Sequence, residues 1–322
     1  MASPRHAHVQ FTKPDLVLAE TERLRFKSAG LAKNTTLSYE RDWRVFTAWC
    51  QAAQLWCLPA TSDTIELYIC DMLNRGRKVT TLERHTVAIQ YHHRQAGLDN
   101  PCGPSVRALL AGARRTLAQQ PDQKDAITVE NLREMVKAIG HDTAIAARDS
   151  ALLLFGYATA LRRSNLSSML LSHLQFESKG IVVQIEREKQ DRKGVGRQLA
   201  VPYGEHEETC PVKAVERWLE YRGKDPGPLF CHVMRGHCIP AKPIAGNHIA
   251  RIIQDAAERI GLDRKRIGAH SLRAGLATAA LENGCDSLVV ARHTGHASLD
   301  MLRRYYRSTD LWRGNPGGRI GL

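Results

Sequence analysis

The sequence contains no apolar run approaching the roughly 18–20 residues that a membrane span requires. Its first fifteen residues, MASPRHAHVQFTKPD, lack the apolar core of a secretory leader. A cytoplasmic protein, associated with the nucleoid if its partner is DNA, is the expectation, and a membrane partner is not expected. The eight cysteines, at positions 50, 57, 70, 102, 210, 231, 238 and 285, include no CxxC pair and read as free thiols of a reducing compartment. One local cluster, CHVMRGHC, places His232 and His237 between Cys231 and Cys238. Adjacent Cys-His pairs converge poorly on one tetrahedral ion, so no metal site is expected there. The chain also lacks a P-loop, an acidic metal-binding pattern, internal repeats and low-complexity tracts, which argues against nucleotide chemistry and repeat architectures.

What the chain does have is length, apolar content and positive charge. Its 322 residues favour two domains, and 43% apolar residues suffice for packed cores. Lysine and arginine number 46 against 33 acidic residues, a formal charge of +13. An excess of this size most often meets a polyanion, and nucleic acid is the first candidate.

Residues 1–14 are expected to be a flexible N-terminus. Residues 15–118 read as an all-helical domain. NTTLSYERDWRVFTAWCQ opens on cap-type residues and sets Tyr39, Trp43, Phe46 and Trp49 or Cys50 at helical spacing. SDTIELYICDML repeats the pattern with Ile65, Tyr68, Ile69 and Met72; TTLERHTVAIQYHHRQAG runs from a Thr cap to a Gly stop. PSVRALLAGARRTLAQ starts at a proline and carries Val106, Leu109, Leu110, Ala113 and Leu117 on one face. The opposite faces hold Arg75, Arg77, Lys78, Arg84, Arg114 and Arg115. Each alone reads as a solvated surface residue; together they are candidates for a DNA-facing wall. Residues 119–126, polar and without an apolar period, read as a linker.

From residue 127 the pattern is α+β. TVENLREMVKAIG and a long apolar stretch from Thr143 to about Leu170 read as helix. In HLQFESKGIVVQIEREK the period changes, SKG forming a turn between two short strands, and RQLAVPYG is a third strand. Helices return at PVKAVERWLEYRG, NHIARIIQDAAERIG, SLRAGLATAALENG and SLVVARHTGH.

Polar residues interrupt these apolar patterns at few places. GYATALRRSNL puts Arg162 and Arg163 at the end of an apolar helix, and AHSLRAGLATAA puts His270 and Arg273 on one face at the start of another. Charges at the core end of a helix must be paired or must receive an anionic ligand. His296 follows a glycine, and Tyr305 stands nine residues further on. This set resembles the tyrosine recombinase (phage integrase-like) family. TALRRSNL is similar to its first arginine box, usually TGLRxxEL; HSLR looks like its HxLR box, and TGHAS resembles its LGHxS box. The four boxes stand in the family's order and at its spacing.

The resemblance implies a two-domain, Cre-type member: a helical core-binding domain and a catalytic domain over residues 127–310, with a small antiparallel sheet, forming a clamp round DNA. It implies Arg162, Lys189, His270, Arg273, His296 and Tyr305 as catalytic residues and no cofactor. Lys189 sits where the family's hairpin lysine is expected, with Arg192 and Lys193 as competitors, and would protonate the departing 5′ oxygen. Tyr305 matches the nucleophile, while Tyr306 occupies a position usually apolar and reads as packing. The partners implied are double-stranded DNA with inverted-repeat core sites and a homotetramer on two such sites, with residues 311–322 docking on a neighbour through Leu311 and Trp312. Asn165 departs from the box, which usually carries an acid there as a support of the catalytic groups; Ala160 stands in place of Gly.

The chemistry suits these residue types. In-line attack on a phosphodiester develops charge on the non-bridging oxygens, so catalysis is positioning and electrostatic stabilisation. Two guanidinium forks stay charged at any working pH. Two histidines can donate to the phosphate and manage the tyrosine proton, which leaves only reluctantly from a hydroxyl of reference pKa about 10. The rivals are a type IB topoisomerase, which shares this chemistry, and a DNA-binding regulator that keeps the fold without catalysis.

Overall fold

The computed structural model describes residues 18–23, 31–119, 124–186, 196–296 and 298–303. It divides into two compact units, Met1–Pro121 and Asp122–Leu322.

Among the described residues, 18–23 are helical, and the core of the first unit is formed by α1 (Lys33–Ala52), α2 (Ser62–Asn74), α3 (Val79–Gln95) and α4 (Pro104–Leu117). Their apolar stripes meet in a core of Phe46, Cys50, Ile65, Tyr68, Leu82 and Ile89. Burying each such side chain contributes about 1.5–3 kcal/mol. Two expected boundaries differ. α1 starts at Lys33 behind Ala32, without a side-chain cap, and α3 starts at Val79 behind Lys78 instead of at a threonine. Val79 is buried, and packing of that first residue outweighs the ~1 kcal/mol a threonine cap would supply. Leu117, placed by its spacing on the core face of α4, is exposed at the helix end.

The polar groups of this core pair with each other. Arg84 grips the buried Asp42 with two bonds, of 2.5 and 2.9 Å. His85 Nδ1 lies 2.6 Å from the Tyr68 hydroxyl and its Nε2 lies 3.5 Å from Asp42. Burial works to raise the Asp42 carboxyl, but the Arg84 bond and the charges of His85, Arg84 and Arg41 hold it below its ordinary value. Trp49 Nε1 donates to Asp71 at 2.7 Å.

The second unit holds α5 (Val129–Ile139), α6 (Ala144–Thr159), α7 (Arg163–Ser168), then β1 (Leu174–Glu177), β2 (Gly180–Ile185) and β3 (Arg197–Pro202). It continues with α8 (Pro211–Arg222), α9 (Gly246–Arg259), α10 (Ala269–Glu282), α11 (Ser287–Thr294) and α12 (Leu299–Arg303). α6 is apolar on every side and is accordingly the central helix, packed by α8, α10 and α5. The sheet is antiparallel in the order β1-β2-β3, with Gly180 opposite Pro202 and Ile185 opposite Arg197. Alternation puts Ile181, Val183 and Ile185 of β2 and Leu199 and Val201 of β3 into the core.

The apolar run from Thr143 does not continue as helix to Leu170. It stops at Thr159, because Ala160 takes the left-handed conformation (φ 48°) and Arg162 then caps the short α7. This is the conformation that glycine adopts freely and that costs alanine about 1–2 kcal/mol.

The second unit opens on a tight seam. Asp125 N–H donates to Arg266 O at 2.8 Å and Ile127 N–H to Ser271 O at 3.1 Å. At Gly275, a Cβ would stand 2.0 Å from Ile127 O and 2.7 Å from Tyr157 Cε2, so only glycine lets α10 lie this close to the Ile127 backbone.

Candidate active site

Three chain segments bring four of the sequence-selected residues together. Arg162 lies between α6 and α7, and its Nη2 reaches Gly295 O at 3.5 Å. His270 is the second residue of α10. Arg273, one turn on, is 1% exposed, and its Nη1 donates to Ala160 O at 2.8 Å. The left-handed turn at Ala160 therefore has a use: it presents a carbonyl that fixes the buried guanidinium. His296 follows Gly295, whose positive φ of 68° ends α11 and turns the chain toward the other three.

The electrostatics show that these groups share one place. Burial pushes the His296 imidazole down to about 3, and Arg273, Arg162 and His270 add to the effect. Burial likewise lowers His270, again with Arg273 and Arg162 acting against its protonation. Both rings are neutral at pH 7, crowded by two permanent cations. Beside them is a cavity of about 400 Å³, lined in part by Lys124, Arg162, Arg163, His270 and Arg273 and by the first residues of α10. The N-terminus of α10 adds its partial positive charge. Such a site fits an anion with several oxygens. Among the described residues no group of three or more His, Cys, Asp and Glu side chains is placed to hold a metal ion.

Lys189 and Tyr305 lie outside the described residues, as do the competitors Arg192 and Lys193, Tyr306 and residues 311–322. Asn165 is half-buried on α7; its Oδ1 accepts from the Ser164 hydroxyl at 3.3 Å.

Three residues that the sequence reading passed over position this site. Arg197, first in β3, donates to Arg292 O and His293 O at 3.3 and 2.8 Å, strapping the sheet to the C-terminal end of α11. His293 Nε2 meets Ala158 O at 2.8 Å, tying α11 to the end of α6. Thr294, fully buried, places its hydroxyl 2.6 Å from His296 Nδ1. For Thr294 the sequence held a signal, a hydroxyl where the LGHxS wording has leucine. For Arg197 and His293 it held none, since their partners are backbone carbonyls far away in the chain.

The six basic residues proposed as a wall differ among themselves. Arg75 pairs with Asp71 at 2.9 Å, Arg114 with Glu83, and Arg84 with Asp42. Arg77, Lys78 and Arg115 are exposed.

Comparison with known proteins agrees with this geometry. The pattern of the Phage integrase family matches residues 125–311, more than half of the chain. The "Integrase/recombinase xerD homolog" of Selenomonas ruminantium is 31% identical over 293 residues, covering 90% of this chain and 86% of that protein. Among solved structures, the Tn1549 transposon integrase in complex with transposon right end DNA superposes with a TM-score of 0.64 at 15% identity, over 94% of this chain and 98% of that one. A lambda integrase tetramer bound to a Holliday junction gives 0.58 at 16% identity, over 89% of this chain and 75% of that one. These two share the fold. With the family pattern spanning all three segments of the site, the chain belongs to the phage integrase family, as a tyrosine recombinase.

Proposed function

We propose that this site-specific tyrosine recombinase cuts and rejoins duplex DNA through Tyr305, with Arg162, His270, Arg273 and His296 around the scissile phosphate and Lys189 at the leaving group. The observation that carries this is the convergence of the two arginines and two histidines from separate segments, with Arg162, His270 and Arg273 lining one basic cavity. The Tyr305 oxygen bonds to phosphorus as the bond from phosphorus to the 5′ oxygen breaks. Lys189 gives that oxygen a proton, and a 3′-phosphotyrosyl link remains. A 5′ hydroxyl from a partner strand reverses the step, so the bond energy is conserved and no nucleotide is consumed. Arg162 and Arg273 hold the non-bridging oxygens, where one well-placed donor is worth about 10²–10³ in rate. The histidines accept and return protons. Asn165 supports the neighbouring groups by hydrogen bonding.

The helical unit and the catalytic unit grip the same duplex, as core-binding and catalytic domains of a clamp. Arg77, Lys78 and Arg115 are the best placed of the basic residues to meet phosphates. Arg75 and Arg114, themselves exposed, can trade their half-buried carboxylates for a phosphate. Arg84, held by buried Asp42, acts on the fold. Four copies bring together two DNA sites with inverted repeats, a reading supported by the lambda integrase tetramer on its junction. Residues 311–322 are proposed to dock on a neighbouring copy.

The test is to express wild type and Tyr305→Phe in cells, denature, and sequence DNA recovered covalently bound to the protein. Adducts with wild type alone, at a short shared inverted-repeat motif, are expected. Adducts with both proteins would remove Tyr305 from its role. No adduct with either, together with intact binding to a footprinted site and to a nicked trapping substrate, would leave a DNA-binding regulator.

A further inference from the structure

A neutral histidine has one proton for two ring nitrogens, and its location decides what the other nitrogen can do. His296 Nδ1 lies 2.6 Å from Thr294 Oγ1. The same hydroxyl lies 2.7 Å from Val290 O and 3.3 Å from Ala291 O. A carbonyl oxygen has no proton to give, so the single hydroxyl proton must serve the short contact to Val290. Toward His296 the hydroxyl then offers a lone pair, and a contact of 2.6 Å there requires the proton to sit on Nδ1.

We infer that Thr294 is a positioning residue that locks neutral His296 in the Nδ1–H tautomer, making Nε2 the acceptor, so that a phosphate in the site draws a proton from solvent onto Nε2. Thr294 is fully buried, so water does not compete for its hydroxyl. Among the described residues, the charged and titratable groups acting on His296 are Arg273 and His270 from α10 and Arg162 from the start of α7; all disfavour the imidazolium. An anion between these groups offsets the field of the arginines and favours it. His296 then donates from both nitrogens, to Thr294 and to the phosphate, and the Nε2 proton remains available for return. The tautomer rests on Thr294 geometry alone; the identity of the anion as a scissile phosphate rests on the function proposed above.

The experiment is nitrogen-15 NMR of the full chain labelled at histidine, with the His296 signals assigned by His296→Gln and inorganic phosphate as the probe. In wild type, Nδ1 is expected to appear protonated and Nε2 bare at pH 7, and phosphate is expected to raise the pH at which Nε2 protonates. Thr294→Val, equal in shape, should shift the ring toward the Nε2–H form and lower the yield of covalent DNA adduct about tenfold, the value of one good hydrogen bond. Thr294→Ser should restore both. An Nε2–H tautomer in wild type overturns the inference, whether or not the valine variant folds. So does a tautomer unchanged in Thr294→Val, or a phosphate addition that leaves the titration where it was. Loss of the adduct in valine and serine variants alike, with tautomers unaltered, would assign position 294 to packing. If Tyr305→Phe kept its adducts, the catalytic reading would fall while the tautomer result stood.

Discussion

Two polar clusters, one in each unit, handle buried charge in opposite ways. In the helical unit a buried acid, Asp42, is met by Arg84 and His85, and His85 is met by Tyr68. Opposite signs adjoin, and the group neutralises itself. In the second unit Arg162, Arg273, His270 and His296 gather together, and both histidines are shifted toward the neutral form first by burial and then by the field of the arginines. Their side chains rest on backbone carbonyls such as Ala160 O and Gly295 O. A charge cluster that cancels itself is architecture, worth stability and little else. One that repels itself is kept at a cost and acquires its meaning when an anion arrives.

The contrast makes a sharp demand on Arg273→Ala. Covalent adduct recovery should fall about 10²–10³-fold, equivalent to roughly 3–4 kcal/mol of transition-state stabilisation. Thermal unfolding should move less than in the next variant. If unfolding moved more, the cation would be structural and the comparison would break. Asp42→Asn, in the helical unit, should do the reverse. Loss of a charged hydrogen-bonded pair should cost about 1.5–3 kcal/mol in denaturant unfolding. The adduct yield per folded molecule should stay within about threefold of wild type, an expectation of less than 1 kcal/mol. The smallest effect concerns the turn between the two: Ala160→Gly removes the left-handed strain at a gain of about 0.5–1 kcal/mol in unfolding free energy, after the added freedom of the unfolded chain is subtracted. A loss of stability there would mean that the alanine methyl packs better than its backbone is strained.

Much of this was readable from residue order. The stripes of Ile65, Tyr68, Ile69 and Met72 are buried as their spacing predicts, and the three strands pair across the SKG turn and RQLAVP as expected. Helical and strand periods report burial directly, because the core is what selects them. The end of α6 was marked only indirectly, by Arg162 and Arg163 closing the apolar pattern and by a resemblance that sets a glycine where Ala160 stands. The alanine itself does not announce a left-handed turn as a glycine would. Arg84 was hidden: its surface-like position on α3 gives no hint of Asp42, 42 residues earlier. At the site, the boxes disclosed Arg162, His270, Arg273 and His296 because phosphate chemistry restricts the residue types. The straps from Arg197 and His293 escaped notice because a backbone carbonyl is available at every residue and selects no partner by type.

Gly275 carries one more implication. With no side chain there, α10 lies against the Ile127 carbonyl, and Ser271, between His270 and Arg273, holds the Ile127 amide. The first described stretch of the second unit is thus a rigid coupling, and a pull on the backbone at Ile127 is a pull on the helix that carries Arg273. Tension reaching that point would be felt as a misaligned guanidinium long before it was felt as unfolding.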